Sequence, residues 1–264
     1  MRRVFAIGSV AGAPGVTTTA LALAVAWPLE ADGGVRPVVV EAGVWGGDLA
    51  ARFGLPHSPG LLDVAAVVGQ PQPGSLLGAV RELPVGVRAV LAPSGRGPCT
   101  EAVRLLGGDG GVRVLRGEEW DYGSVLLDLG RLTSETQVLA GVADEVLLVT
   151  RGGADALAHV YAQASDLGQA GGRLTLCVLG ECPYAPSEVS AALEVENVTR
   201  LAWDAKGAGV LGGTRQGRLQ AEGFRTSPLL KAARELAERL VEEGQGGPFR
   251  AESLAGVLRE RSIR

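Results

Sequence analysis

Six short apolar runs recur along the chain: Arg3 to Gly8, Pro37 to Ala42, Val87 to Ala92, Val125 to Leu129, Val146 to Thr150 and Leu174 to Leu179. They do not alternate apolar with polar residues, as strands with one wet face do, so they suit strands covered on both sides. Between them lie segments with helical spacing, including Thr17 to Trp27, Thr133 to Val142 and Ala154 to Leu167. This alternation predicts an α/β fold with a doubly wound, mostly parallel sheet flanked by helices. Ser227-Pro228 marks a further helix start, after which Leu229, Ala233, Leu236, Ala237 and Leu240 form one apolar face that closes the domain. Gly244 to Pro248 breaks the pattern. Ala251 to Ile263 reads as a second, short helix, with Leu254, Val257 and Leu258 on one side and arginines elsewhere. The expected organisation is one domain over residues 1–245 and a helical tail over 246–264.

Composition agrees with a single large core. The chain has 264 residues, 46% of them apolar and 20% charged, which excludes general disorder. Ala20 to Leu29 is too short to span a bilayer and is interrupted by Pro28. Gly8 to Gly15 breaks the N-terminal apolar run, which argues against a secretory signal and for a cytoplasmic location. A net charge of −4 argues against the broad basic surface of a nucleic-acid binder. Cys99, Cys177 and Cys182 have no CxxC spacing and indicate neither a disulfide framework nor zinc. His57 and His159 stand alone, and Trp45 and Trp120 are read as packing residues.

The candidate chemistry sits between the first run and the first helix. Phe5 to Thr19 has the strand, small-residue turn and helix order of a phosphate-binding loop. In a working loop of that kind, backbone N–H groups wrap the phosphates, a lysine reaches the β/γ-phosphates and a Ser/Thr hydroxyl binds magnesium. Here Val16 holds the lysine position, and a shift of register rescues nothing, because Lys206 is the first lysine in the chain.

The segment Ala11-Gly12-Ala13-Pro14-Gly15-Val16-Thr17 resembles the deviant KGGxGKT loop of the ParA/MinD family of P-loop ATPases, with both lysines replaced. Val38 to Pro56 resembles the family's DxDxxGG segment, Glu41 standing for the first aspartate and Gly43 for the second. Tyr122 to Gly130 resembles its Walker B strand, with Asp128 kept. Leu174 to Glu181 resembles the strand that ends in an adenine-reading asparagine, here Gly180. CpaE/TadZ-like members are also similar, through Gly46-Gly47-Asp48 to Gly60-Leu-Leu-Asp63.

The resemblance implies a P-loop NTPase fold and a degenerate nucleotide site made of Gly12, Ala13, Gly15, Val16, Thr17, Thr18 and Asp128. Thr17 and Asp128 would be the metal side if Mg-nucleotide binds, and Asp128 could equally serve as a strand-end cap. In the family the first aspartate helps position the attacking water; a glutamate at position 41 is expected to reach too far. Removing one preorganised charge-stabilising group commonly costs about 2.7–4 kcal/mol of transition-state stabilisation. With two cations gone, the expectation is a pseudo-ATPase with no cofactor that works as a non-hydrolysing scaffold or regulatory partner in a positioning, partition, pilus or secretion system. Its partner is expected to be a protein, a homodimer being one form. The tail is similar to MinD's membrane-targeting helix, implying at most weak peripheral membrane contact. Two alternatives stand beside this: a nucleotide-binding switch holding ATP or ADP with Mg, in which Arg151 or Arg215 supplies charge, and a DNA-binding adaptor.

Overall fold

The structure, a computed structural model, describes residues 1–12, 15–70, 75–168, 173–214 and 227–244. The expected tail over 246–264, Ala13 of the loop and Arg215 lie outside the described residues.

The chain runs β1 (Arg3–Ser9), α1 (Val16–Ala26), β2 (Val38–Glu41), α2 (Leu49–Phe53), α3 (Leu61–Val67), β3 (Arg81–Glu82) and β4 (Arg88–Val90). It continues through α4 (Arg96–Leu106), α5 (Asp109–Arg116), β5 (Ser124–Arg131), α6 (Ser134–Gly141), β6 (Glu145–Arg151), α7 (Ala154–Gly168) and β7 (Arg173–Leu179). The last elements among the described residues are α8 (Pro186–Leu193), β8 (Asn197–Leu201), α9 (Ala205–Leu211) and α10 (Pro228–Gly244). All six apolar runs are strands of one eight-stranded sheet, ordered β3-β4-β2-β5-β1-β6-β7-β8. Every pair is parallel except the short edge pair β3–β4.

Residues next to each other on a strand point to opposite faces, and each face has its own core. Val4, Ala6, Val38 and Val40 pack with Leu61 and Val64 of α3, Val103 of α4, Leu139 of α6 and Val160 of α7. Phe5, Ile7 and Val39 pack with α1, with Leu49 of α2, Leu211 of α9 and the apolar face of α10. Burial on both faces is the reason the strands read as unbroken apolar runs. Ala20 to Leu23 of α1 are all fully buried, because that helix is enclosed by the sheet on one side and α10 on the other.

Arg3 ties the start of β1 to the end of α10. Its guanidinium donates to the carbonyls of Leu240 and Val241 at 3.1 Å and pairs with Asp32 at 3.0 Å. Asp32 also accepts from Trp27 Nε1 and Ser124 Oγ, each at 2.7 Å. The closing helix expected after Ser227-Pro228 is therefore pinned at the edge opposite the glycine-rich loop. Among the described residues no helix is long and apolar enough to cross a membrane.

Candidate functional site

In a parallel sheet all strand C-termini share one edge, and a ligand site forms where successive connections leave in opposite directions. Here that place is the end of β1, whose neighbours are β5 and β6. The chain leaves β1 toward β2 through α1 and leaves β5 toward β6 through α6. The loop from Val10 into α1 thus sits at the middle of the edge, with Asp128 of β5 beside Ile7 on one side.

Gly12 and Gly15 adopt φ of +67° and +98°, conformations that L side chains rarely take, and Gly15 is the residue from which α1 starts. Ser9 Oγ donates to the Gly12 carbonyl at 3.1 Å, and Thr19 donates to the Gly15 carbonyl through both its amide (2.8 Å) and its hydroxyl (3.0 Å). No side chain caps α1 at Gly15 and no acidic residue of the helix lies in its first turn. Val16 does not reach into that loop. Its side chain is 2% exposed and belongs to the core between α1 and the sheet.

The carboxylates on this side are bound up locally. The Thr17 hydroxyl lies beside Asp128, and Gly130 N donates to Asp128 Oδ1 at 3.1 Å. Burial pushes the Asp128 carboxyl above its ordinary pKa, against the pull of Thr17, Gly130 N and the nearby Arg52. The strand-cap role that sequence left open for Asp128 is present, and Thr17 stands next to it.

Glu41 does not overreach into the site as expected. It turns back on the backbone: Oε1 accepts from Asp48 N at 2.8 Å and Leu49 N at 2.9 Å, and Oε2 accepts from Ala92 N at 3.0 Å. One side chain therefore caps the start of α2 and ties the loop over 43–48 to the end of β4. Burial pushes its pKa up to about 7; the three amides oppose the rise and Asp128 adds to it. The glycine pair beyond it has a steric reason. A Cβ on Gly47 would lie 2.1 Å from Glu41 Cδ, and one on Gly46 would lie 2.1 Å from the Pro93 carbonyl oxygen. Gly43 is under no such pressure, its nearest neighbour being the Leu129 carbonyl at 3.4 Å.

On the other side of the loop, a cavity of about 240 Å³ opens between α1 and the ends of β6, β7 and β8. Gly15, Thr18 and Thr19 line it at the loop; Leu179, Arg151 and the stretch from Ala202 to Ala205 line it opposite. The Arg151 guanidinium lies over the Trp203 ring, 4.1 Å from its centroid. Gly180, at φ +84°, leaves the rim open: a Cβ there would come 3.6 Å from Trp203 Cβ and 4.0 Å from Arg151 Nη1. Asp204 is occupied as a cap, accepting from Gly207 N at 2.8 Å and Ser227 Oγ at 2.6 Å.

Trp45 and Trp120, expected to be packing residues, are exposed at 61% and 71%. Both sit in loops beyond the reach of either core, and Trp45 is covered from outside by Arg96, 4.9 Å from its ring centroid. Trp203 does not stand out in the sequence, because a lone tryptophan between a strand and a short helix carries no spacing signal. His57 and His159 are exposed, and among the described residues no cluster of His, Cys, Asp and Glu could hold a metal.

Comparison with protein-family models and with curated proteins finds no match in sequence. Solved structures match along almost the whole chain. The septum site-determining protein MinD of Pyrococcus horikoshii, complexed with Mg-ADP, is 20% identical with a TM-score of 0.68, over 97% of this chain and 98% of that one. A ParA-family ATPase from Chlorobium tepidum is 17% identical with a TM-score of 0.69, over 90% and 98%. MinD in the MinC:MinD cell division complex of Aquifex aeolicus is 16% identical with a TM-score of 0.67, over 94% and 98%. The chain has the ParA/MinD-type P-loop fold. On that fold the retained pair Thr17 and Asp128 lies on one side of the loop and the Arg151–Trp203 cavity on the other. The residues present fit a magnesium nucleotide only in part. The hydroxyl and carboxyl groups stand together, whereas the loop's lysine position holds a buried valine.

Proposed function

We propose that this protein does not hydrolyse ATP and uses its ParA/MinD-type fold as a scaffold or regulatory partner in a positioning, partition, pilus or secretion system. One observation carries the reading. The position from which a P-loop lysine would reach the phosphates is Val16, buried in the core beneath the loop. Phosphoryl transfer depends on positive groups held in place around the equatorial oxygens, and an aliphatic side chain facing the core supplies none. Glu41 adds to this, since a carboxylate that accepts three backbone amides is not available to orient a water. The solved neighbours include proteins of septum placement and of plasmid partition, and this is the support for a positioning or partition process.

A second reading shares the lack of turnover but keeps the ligand: a nucleotide is bound and not cleaved. The Thr17–Asp128 contact favours it, because it retains the hydroxyl and carboxyl of a magnesium site in a chain that has lost the phosphate-holding cations. In either case, contacts between copies of the chain would depend on side-chain packing rather than on a lysine reaching across to a partner's nucleotide.

Phosphate release measured with ATP, with and without magnesium, tests the shared part. The expected result is a rate equal to the protein-free blank. Magnesium-dependent turnover that disappears in Asp128→Asn would overturn it. Sedimentation with and without ATP addresses the packing: the expected mass is the same in both, and an ATP-triggered dimer would contradict it.

A further inference from the structure

The two outer strands of the sheet end it differently. β3 is two residues long and antiparallel to its neighbour. β8 runs for five residues, pairs with β7 along all of them and, among the described residues, has no strand on its far side. An open edge of this kind presents a row of main-chain donors and acceptors to another chain. Successive residues of a strand send these groups alternately to its two sides. The Leu201 carbonyl accepts from Gly180 N at 2.9 Å, so Leu201, Thr199 and Asn197 bond toward β7. Val198 and Arg200, with Glu196 just before the strand, therefore send theirs outward. No proline interrupts Val195 to Leu201, so no donor is missing from the row.

Side chains decide which partner fits this edge. Glu196, Val198 and Arg200 share one face of the strand, with Glu196 and Arg200 exposed and Val198 half-buried. Glu196 has no ion pair among the described residues. Arg200 spends Nη2 on the carbonyls of Tyr184 at 2.7 Å and Cys182 at 3.4 Å, which leaves Nε and Nη1 for a carboxylate. When a second copy is laid antiparallel with its Val198 opposite this one, the outward main-chain groups meet as hydrogen-bonded pairs. Glu196 of each copy then stands directly opposite Arg200 of the other. Of the two-fold registers this one alone opposes these two charges, and centring on Glu196 or on Arg200 would oppose like charges. The edge is thus self-complementary, as a two-fold contact between identical chains requires. We propose that β8 is a homodimer interface, in which two copies pair antiparallel about Val198 into one continuous sheet. The pairing adds main-chain hydrogen bonds to the contacts between copies and is independent of whether nucleotide is bound or cleaved.

Sedimentation equilibrium of the full chain without nucleotide tests the interface. One strand edge is a small contact, so the expected result is a monomer–dimer equilibrium with a micromolar Kd. Val198→Pro removes the central outward N–H and no ladder bond to β7. It should keep the parent's circular dichroism and melting curve and sediment as a monomer. Glu196→Arg and Arg200→Glu each oppose like charges twice per dimer, and each should weaken association by roughly 10-fold or more. Mixed in equal amounts, the two variants present opposite charges at both pairs and should associate within about 3-fold of the parent. A change that merely disturbed the fold of each variant would not be repaired by mixing. A parent that stays monomeric up to about 1 mM, or a dimer that survives Val198→Pro, would overturn the interface. Mixed variants that remain apart would overturn the register about Val198.

Discussion

The two flanks of the glycine-rich loop hold Glu41 and Asp128 on one side and Arg151 on the other in different ways. On the flank of β2 and β5, Glu41 and Asp128 are buried and accept backbone amides, with the Thr17 hydroxyl beside Asp128. On the flank of β6 to β8, Arg151 is exposed and only stacked, with its donors free. A charge taken out of water needs hydrogen-bond partners of its own, and once it has them it has little left for a ligand. The charges of the first flank hold the fold together, whereas Arg151 on the second keeps its donors toward solvent.

The comparison breaks most sharply at Glu41. Glu41→Ala leaves the amides of Asp48, Leu49 and Ala92 without their acceptor, and at about 1–3 kcal/mol for each unsatisfied buried group the expected loss is on the order of 3–5 kcal/mol in denaturant unfolding. A midpoint close to that of the parent would show that the loop over 43–48 holds itself and that Glu41 is free for chemistry.

The next effect is a pH dependence. Because the folded pKa of Glu41 is raised from 4.5 to about 7, the folded state holds a proton that the unfolded state releases between these values. Stability from this residue is therefore full below about pH 4.5 and falls as pH rises through 7, by about 3 kcal/mol at most. In Glu41→Gln this downward slope should be absent from the unfolding free energy. Parallel slopes in the two proteins would mean that Glu41 titrates as if exposed.

The smallest effect belongs to the outer stack. Arg96→Ala uncovers Trp45 and removes an exposed pair with Glu135, so stability should change by less than about 1 kcal/mol while tryptophan emission shifts to the red. A larger loss would show that folding depends on this stack as heavily as it does on Glu41.

Much of the fold was legible because a parallel sheet buried on both faces leaves unbroken apolar runs, and all six runs are strands. The elements that escaped notice carry little of that signal. β3 is two residues at an edge, and α5 holds Gly110 and Gly111 against the backbone of α3 and α4, where glycine reads as a break although close packing requires it. At the site, Gly12, Gly15, Thr17 and Asp128 stood out as a set through their order and spacing. The partners of Glu41 did not, because its three amides come from residues 48, 49 and 92 and no local pattern joins them.

By itself the sequence determined the layered α/β architecture, the position of the loop and the absence of lysine from it, since these depend on residue type and on periodicity along one chain. Tertiary structure decided where the remaining charges point. Glu41 faces inward because the end of β4 and the start of α2 bring unsatisfied amides to its carboxyl, and Arg151 lines a cavity because the connection after β8 sets Trp203 against it. Which partner a charge finds is settled by strands that are neighbours in space and distant in sequence, and that choice separates a buried cap from a group still free to bind.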